Sequence, residues 1–93
     1  MIIGIVRASI SIPDAQSLKD KRSVLRSLKD RIVNKMNVSV AEVGKQDVWK
    51  YSELAFVTVA ANSAIVQSRV SEISSFLQSN PRYVLLNLET EMI

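Results

Sequence analysis

Ile2-Ile3-Gly4-Ile5-Val6-Arg7-Ala8-Ser9-Ile10-Ser11-Ile12 decides the fold, because it alternates with period two along its whole length. Ile2, Gly4, Val6, Ala8, Ile10 and Ile12 fall on one face, and Ile3, Ile5, Arg7, Ser9 and Ser11 on the other, as in a long strand with one face turned to a core. Pro13 and Asp14 break it. The next signal, Ser17-Leu18-Lys19-Asp20-Lys21-Arg22, opens a helix. The Ser17 hydroxyl can take a free backbone N–H as N-cap, and Asp20 three residues on resembles a capping box. Leu18, Leu25, Leu28, Ile32 and Met36 then form one helical stripe able to pack on a sheet, and Asn37 closes the helix.

Outward from there, Val38–Val43 and Leu54–Ala61 read as β-branched strands of a hairpin, joined by a broad polar connection from Gly44 to Tyr51. Asn62 or Ser63 caps a second helix with Val66, Val70, Ile73 and Leu77 as its stripe, widened by Ile65 and Phe76, and Asn80-Pro81 ends it. Tyr83–Leu88 is a last strand, which the five following residues extend or leave frayed. The order β-α-β-β-α-β predicts a ferredoxin-like α+β fold, one domain over residues 1–93. Right-handed crossovers put both helices on one face of an antiparallel sheet of order 4-1-3-2. The other face is left open, with Ile3 and Ile5 on it together with either Phe56 or Val57 and Val59, and an open apolar face predicts a homodimer.

Composition narrows the chemistry. The 93 residues include no cysteine and no histidine, which removes disulfides, thiolate chemistry and the commonest general base and metal ligand. No apolar run approaches the roughly 20 residues that span a bilayer, and the N-terminus lacks the basic region and cleavage site of a secretory signal. A soluble cytoplasmic protein with no cofactor and no membrane partner is the expectation. Acylphosphatase-like chemistry would need a glycine-rich phosphate cradle where this chain has Ile12-Pro13-Asp14, and ligand sensing at glycine-rich turns finds only Gly44. A carboxylate metal site from Glu42, Asp47 and Glu53 is conceivable, though such residues around a hairpin are usually surface charge.

Charge is unevenly placed. Between Ser17 and Met36 stand seven basic residues against two acidic ones, a local charge of +5, while the remainder holds five against seven. Lys19, Arg22, Arg26 and Lys29 are spaced 3, 4 and 3 apart, which lines them up on one flank of the helix where a rod of phosphates could lie. The plain alternative is a solvated face that keeps a small protein soluble. Lys21 falls on the apolar side, with Asp14, Glu42 and Asp47 as candidate partners for its ammonium and a partner contact as a further use. A Ser17–Lys21 nucleophile and base pair has the spacing but no oxyanion segment beside it. Trp49, the sole tryptophan, could stack on a base or anchor a partner, but such a residue more often closes the end of a core with its N–H bonded. The first strand has no aromatic residue, which argues against RNA binding on the sheet in the manner of an RRM.

Ser17 to Arg22, with Asn-Val-Ser-Val-Ala-Glu-Val at Asn37 to Val43 and Gln-Asp-Val-Trp at Gln46 to Trp49, resembles the YlxP-like family of small bacterial proteins across essentially the whole chain. The resemblance implies a ferredoxin-like fold and, from the translation and ribosome-binding factors that commonly neighbour the family's genes, a place near RNA or the ribosome. It brings no catalytic residue. Lys45 stands where relatives often carry histidine or an aromatic residue, so no role for a titrating group is expected there. The combined reading is a non-enzymatic module that binds structured RNA or a ribosomal particle through Lys19, Arg22, Arg26 and Lys29. The alternative is a dimeric protein-interaction or small-ligand-sensing module without nucleic acid.

Overall fold

The computed structural model describes residues 1–93. Its elements are β1 (Ile2–Ser11), α1 (Leu18–Lys35), β2 (Ser39–Gly44), β3 (Tyr51–Ala60), α2 (Ser63–Gln78) and β4 (Val84–Met92). The strands form one antiparallel sheet in the order β2-β3-β1-β4, which is the expected 4-1-3-2 order read from the other edge. Both helices pack on the face carrying Val6, Ala8 and Ile10 of β1 and Leu54 and Phe56 of β3. Leu25, Leu28 and Ile32 of α1 and Ile73, Phe76 and Leu77 of α2 complete the core there.

The helix ends follow the capping chemistry. Ser17 Oγ accepts the Asp20 N–H at 3.0 Å, and Asp20 Oδ2 in turn accepts the Gln16 N–H at 3.0 Å, so two backbone donors at the helix start are satisfied reciprocally. This leaves Ser17 a cap rather than half of a catalytic pair. Of the two candidates at the start of α2, Asn62 is the cap, its Oδ1 accepting the Ile65 N–H at 3.0 Å. Gly4 is a close-approach position: a Cβ there would lie 2.6 Å from Val66 Cγ1, so its missing side chain lets α2 settle on β1.

Strand boundaries differ from the pattern-based ones. β3 begins at Tyr51 rather than Leu54, because Tyr51, Ser52 and Glu53 pair with Ser11, Ile10 and Ser9 of the long first strand. β4 runs on to Met92, and beyond it Ile93 exchanges backbone hydrogen bonds with Ile3 at 2.9 Å in both directions, so the C-terminal residues extend the sheet rather than fray.

The register also settles the open face. Ile3 pairs with Val59 and Ile5 with Val57, while Phe56 is fully buried on the helix side. Around this apolar patch the same face carries Arg7 against Glu53, Glu89 and Glu91, with Arg7 bonded to Glu91 at 3.5 Å. No helix is long and apolar enough to cross a membrane.

Candidate functional site

The cations of α1 divide by their angle around the helix. Lys21 shares the inward face with Val24, Leu25, Leu28 and Ile32. Arg31 turns toward α2, with its guanidinium carbon 5.3 Å from the centre of the Phe76 ring. At about 100° per residue, Lys19, Arg22, Arg26 and Lys29 lie at least roughly 120° around the helix from Arg31. α2 packs over β1, β3 and β4, whereas α1 lies toward β2. The four-cation flank therefore faces away from α2, out past the free edge of the sheet. Lys19, Arg22 and Arg26 are exposed and Lys29 is half-buried. None of the four is in an ion pair, the salt bridges being Arg7–Glu91 and Lys21–Glu42.

Lys21 has the opposite fate. It is 1% exposed, and its Nζ lies 2.7 Å from Glu42 Oε2 and donates to the carbonyls of Lys45, Val48 and Tyr51 at 2.6, 2.7 and 3.0 Å. Glu42 Oε2 also accepts the buried Ser52 hydroxyl at 2.7 Å. An ammonium has three protons, and four oxygens surround this one, so its buried charge is compensated and fully bonded. Glu42 is thus the partner among the three candidates, and Lys21 is consumed inside the fold rather than offered to a partner. Glu42, Asp47 and Glu53 do not converge on a metal site, because Glu42 faces the helix layer while Glu53 follows Ser9 onto the open face of the sheet.

The same cluster shapes the loop between β2 and β3. Its Lys45 and Val48 carbonyls, with that of Tyr51 at the start of β3, turn in toward Lys21, and Lys45 takes a left-handed backbone with φ 56°. A non-glycine residue holds that conformation at a cost of order 1 kcal/mol, which the bonded carbonyl helps offset. Lys50 Nζ donates to the Pro13 carbonyl at 2.8 Å, which ties the loop to the connection between β1 and α1. Trp49 does not close the core: it is 49% exposed, with Val48 and Tyr51 beside it also exposed. The indole N–H makes no hydrogen bond within the protein. With the loop backbone drawn to the lysine, its side chains are left outside.

One buried group has no partner. The Tyr83 hydroxyl is buried without a hydrogen bond, and burial raises its pKa above the usual tyrosine value, with the nearby Arg31 charge opposing the rise.

The architecture defines a ferredoxin-like βαββαβ protein. A de novo designed protein with a ferredoxin fold, determined by NMR in solution, superposes with a TM-score of 0.57 at 15% identity, over 98% of this chain and 88% of that one. A dimeric ferredoxin-like protein from an uncultured marine organism aligns at TM-score 0.43 and 8% identity, over 100% of this chain and 94% of that one. In sequence, residues 3–90 match the family described as protein of unknown function (DUF503), and the chain belongs to that family. It is 34% identical over 80 residues to the uncharacterized protein YlxP of Bacillus subtilis (strain 168), covering 86% of this chain and 87% of that one.

Proposed function

We propose that the protein is a non-enzymatic, cytoplasmic module that associates with structured RNA or a ribosomal particle through Lys19, Arg22, Arg26 and Lys29. The observation that carries this reading is the opposed charge of the two outer surfaces. Four cations without ion-pair partners line the free flank of α1, while the open sheet face holds one arginine against three glutamates. A polyanion is drawn to the first surface and repelled by the second, and released counterions add to affinity for each phosphate neutralised. The absence of aromatic residues from β1 agrees with binding away from the sheet.

A second role is supported by a different observation. Ile3, Ile5, Val57 and Val59 form a contiguous apolar patch, with Val57 and Val59 each more than 40% exposed. This favours a twofold homodimer through the open sheet face. Sedimentation should show a dimer at micromolar concentration, and an aspartate at Ile5 should shift it to monomer; a wild-type monomer at high micromolar concentration contradicts the dimer alone. The RNA reading is tested by ultraviolet crosslinking in cells, with recovery of RNA and protein partners together. RNA crosslinked to peptides of α1 is expected. Recovery of protein partners alone, unchanged by nuclease, would favour the protein-interaction alternative instead.

A further inference from the structure

The proposed phosphate track ends beside the loop from Lys45 to Lys50, and that loop has an unusual construction. Lys21, two turns of helix from Lys29 and adjacent in sequence to Arg22, binds two of the loop's carbonyls, Lys45 and Val48, and that of Tyr51 where the loop enters β3. Lys50 ties the same loop to Pro13. A short hairpin connection is thereby held at both ends by buried or bonded ammonium groups, and what it displays is a half-exposed indole. Exposed tryptophan on a rigid loop is costly to hydration and cheap to order on binding, which are the properties of a docking platform. Its surroundings choose the occupant: Lys45 and Lys50 outnumber Asp47 in the loop, and the Lys21 that anchors the loop lies between Lys19 and Arg22 in the sequence of α1.

We infer that Trp49 is a base-stacking platform at the N-terminal end of the α1 track, so that the ligand is RNA with unpaired nucleotides rather than continuous duplex. The inference rests on the reading of α1 as a phosphate-binding flank. Phosphates lie along Arg22, Arg26 and Lys29, and the strand then turns an unstacked base onto the indole. In a duplex the bases are already stacked on one another, and their faces are not available to the ring.

The sole tryptophan makes the test direct, since its fluorescence reports only on this position. The wild type, Trp49→Ala, Trp49→Phe and the fourfold glutamine variant of Lys19, Arg22, Arg26 and Lys29 are titrated at low salt with two RNAs. One is a single strand of about twelve nucleotides, within the span of common single-strand sites, and the other a blunt duplex of the same length. Circular dichroism checks that each variant is folded. The single strand should quench Trp49 fluorescence and the duplex should not. Trp49→Ala should weaken single-strand binding by about fivefold to a hundredfold, the range expected for one stacked base, without changing the salt slope. Trp49→Phe should restore most of the loss. Single-strand binding with unquenched fluorescence, undiminished affinity in Trp49→Ala, or tighter binding of the duplex overturns the platform while leaving the α1 track standing, provided the fourfold variant still loses affinity. If neither RNA binds the wild type, both the platform and the track fail.

Discussion

Lys21 and Arg22 are neighbours in one helix, yet the first is among the most buried side chains of the protein and the second stands in water. One step of about 100° separates them. Lys21 is surrounded by four oxygens and joins α1 to β2, the loop that follows it and the start of β3. Arg22, with Lys19, Arg26 and Lys29, bonds to nothing in the protein. The basic character of α1 is therefore two separate devices. Of its seven cations, Lys21 is spent inside the fold and Arg31 lies over Phe76, whereas Lys19, Arg22, Arg26 and Lys29 stand together without ion-pair partners. Composition alone merges them, because a local charge of +5 does not say which charges are spent internally.

The largest effect expected from separating the two devices is on stability. Lys21→Met keeps the length and apolar stem but strands Glu42 and three carbonyls, so denaturant unfolding should show a loss of about 3–5 kcal/mol, the usual cost of breaking a buried pair from one side. The fourfold glutamine variant should lose little, since exposed substitutions each stay within about 0.5 kcal/mol and the half-buried Lys29 has no ion pair to break. Similar losses in the two proteins would erase the distinction between them.

Next in size is Glu42→Gln. The amide can still accept from Lys21 and Ser52, but the counter-charge is gone, and a loss of about 1–3 kcal/mol is expected. A cycle with Lys21→Met should show strong non-additivity, because the two residues share one cluster. Additive losses would mean that the three carbonyls, rather than Glu42, hold the lysine.

Arg31 is used in a third way, toward α2. Arg31→Gln removes its contact with the Phe76 ring, at a cost of about 0.5–1 kcal/mol, and should raise the Tyr83 pKa further, because the arginine charge opposes the effect of burial. Ultraviolet titration of the phenol reads this shift.

The smallest effect is that of Tyr83→Phe. Removing an unpartnered buried hydroxyl should be close to neutral or mildly stabilising near neutral pH. Burial raises the folded-state pKa above that of the unfolded chain, so the folded form holds the phenol proton more tightly. The associated stability is present below the unfolded value and is lost as pH rises through the folded one. Unfolding measured from neutral to alkaline pH should therefore decline less steeply in Tyr83→Phe than in the wild type.

These differences also show where sequence reading succeeds. The alternation of Ile2–Ile12 and the stripe of Leu25, Leu28 and Ile32 were legible because each face of those elements meets a single environment. The early start of β3 was not, since Tyr51, Ser52 and Glu53 look like loop until β1 is present to pair with them. Lys21 could be placed on the inward face from spacing alone. Choosing Glu42 as its partner needed one more step that the pattern allowed: Glu42 lies in phase with Val38 and Val40, whose side chains face the helices, whereas Asp14 and Asp47 belong to no strand. The exposure of Trp49 had no local signal. It depends on loop carbonyls being drawn to a lysine 24 to 30 residues away in the chain.

The division proposed for α1 is that Lys19, Arg22, Arg26 and Lys29 bind an anionic polymer while Lys21 is structural. Its most direct test is the salt dependence of RNA association for the wild type and the fourfold glutamine variant, over about 50 to 200 mM salt with the fold of both verified. Plotted as log affinity against log salt concentration, the wild type should fall steeply. The variant should bind more weakly, with a slope shallower by about three, each lost phosphate contact on a single strand contributing about 0.7. Equal affinity and equal slope in two folded proteins would contradict the claim and leave the flank of α1 as solvated surface.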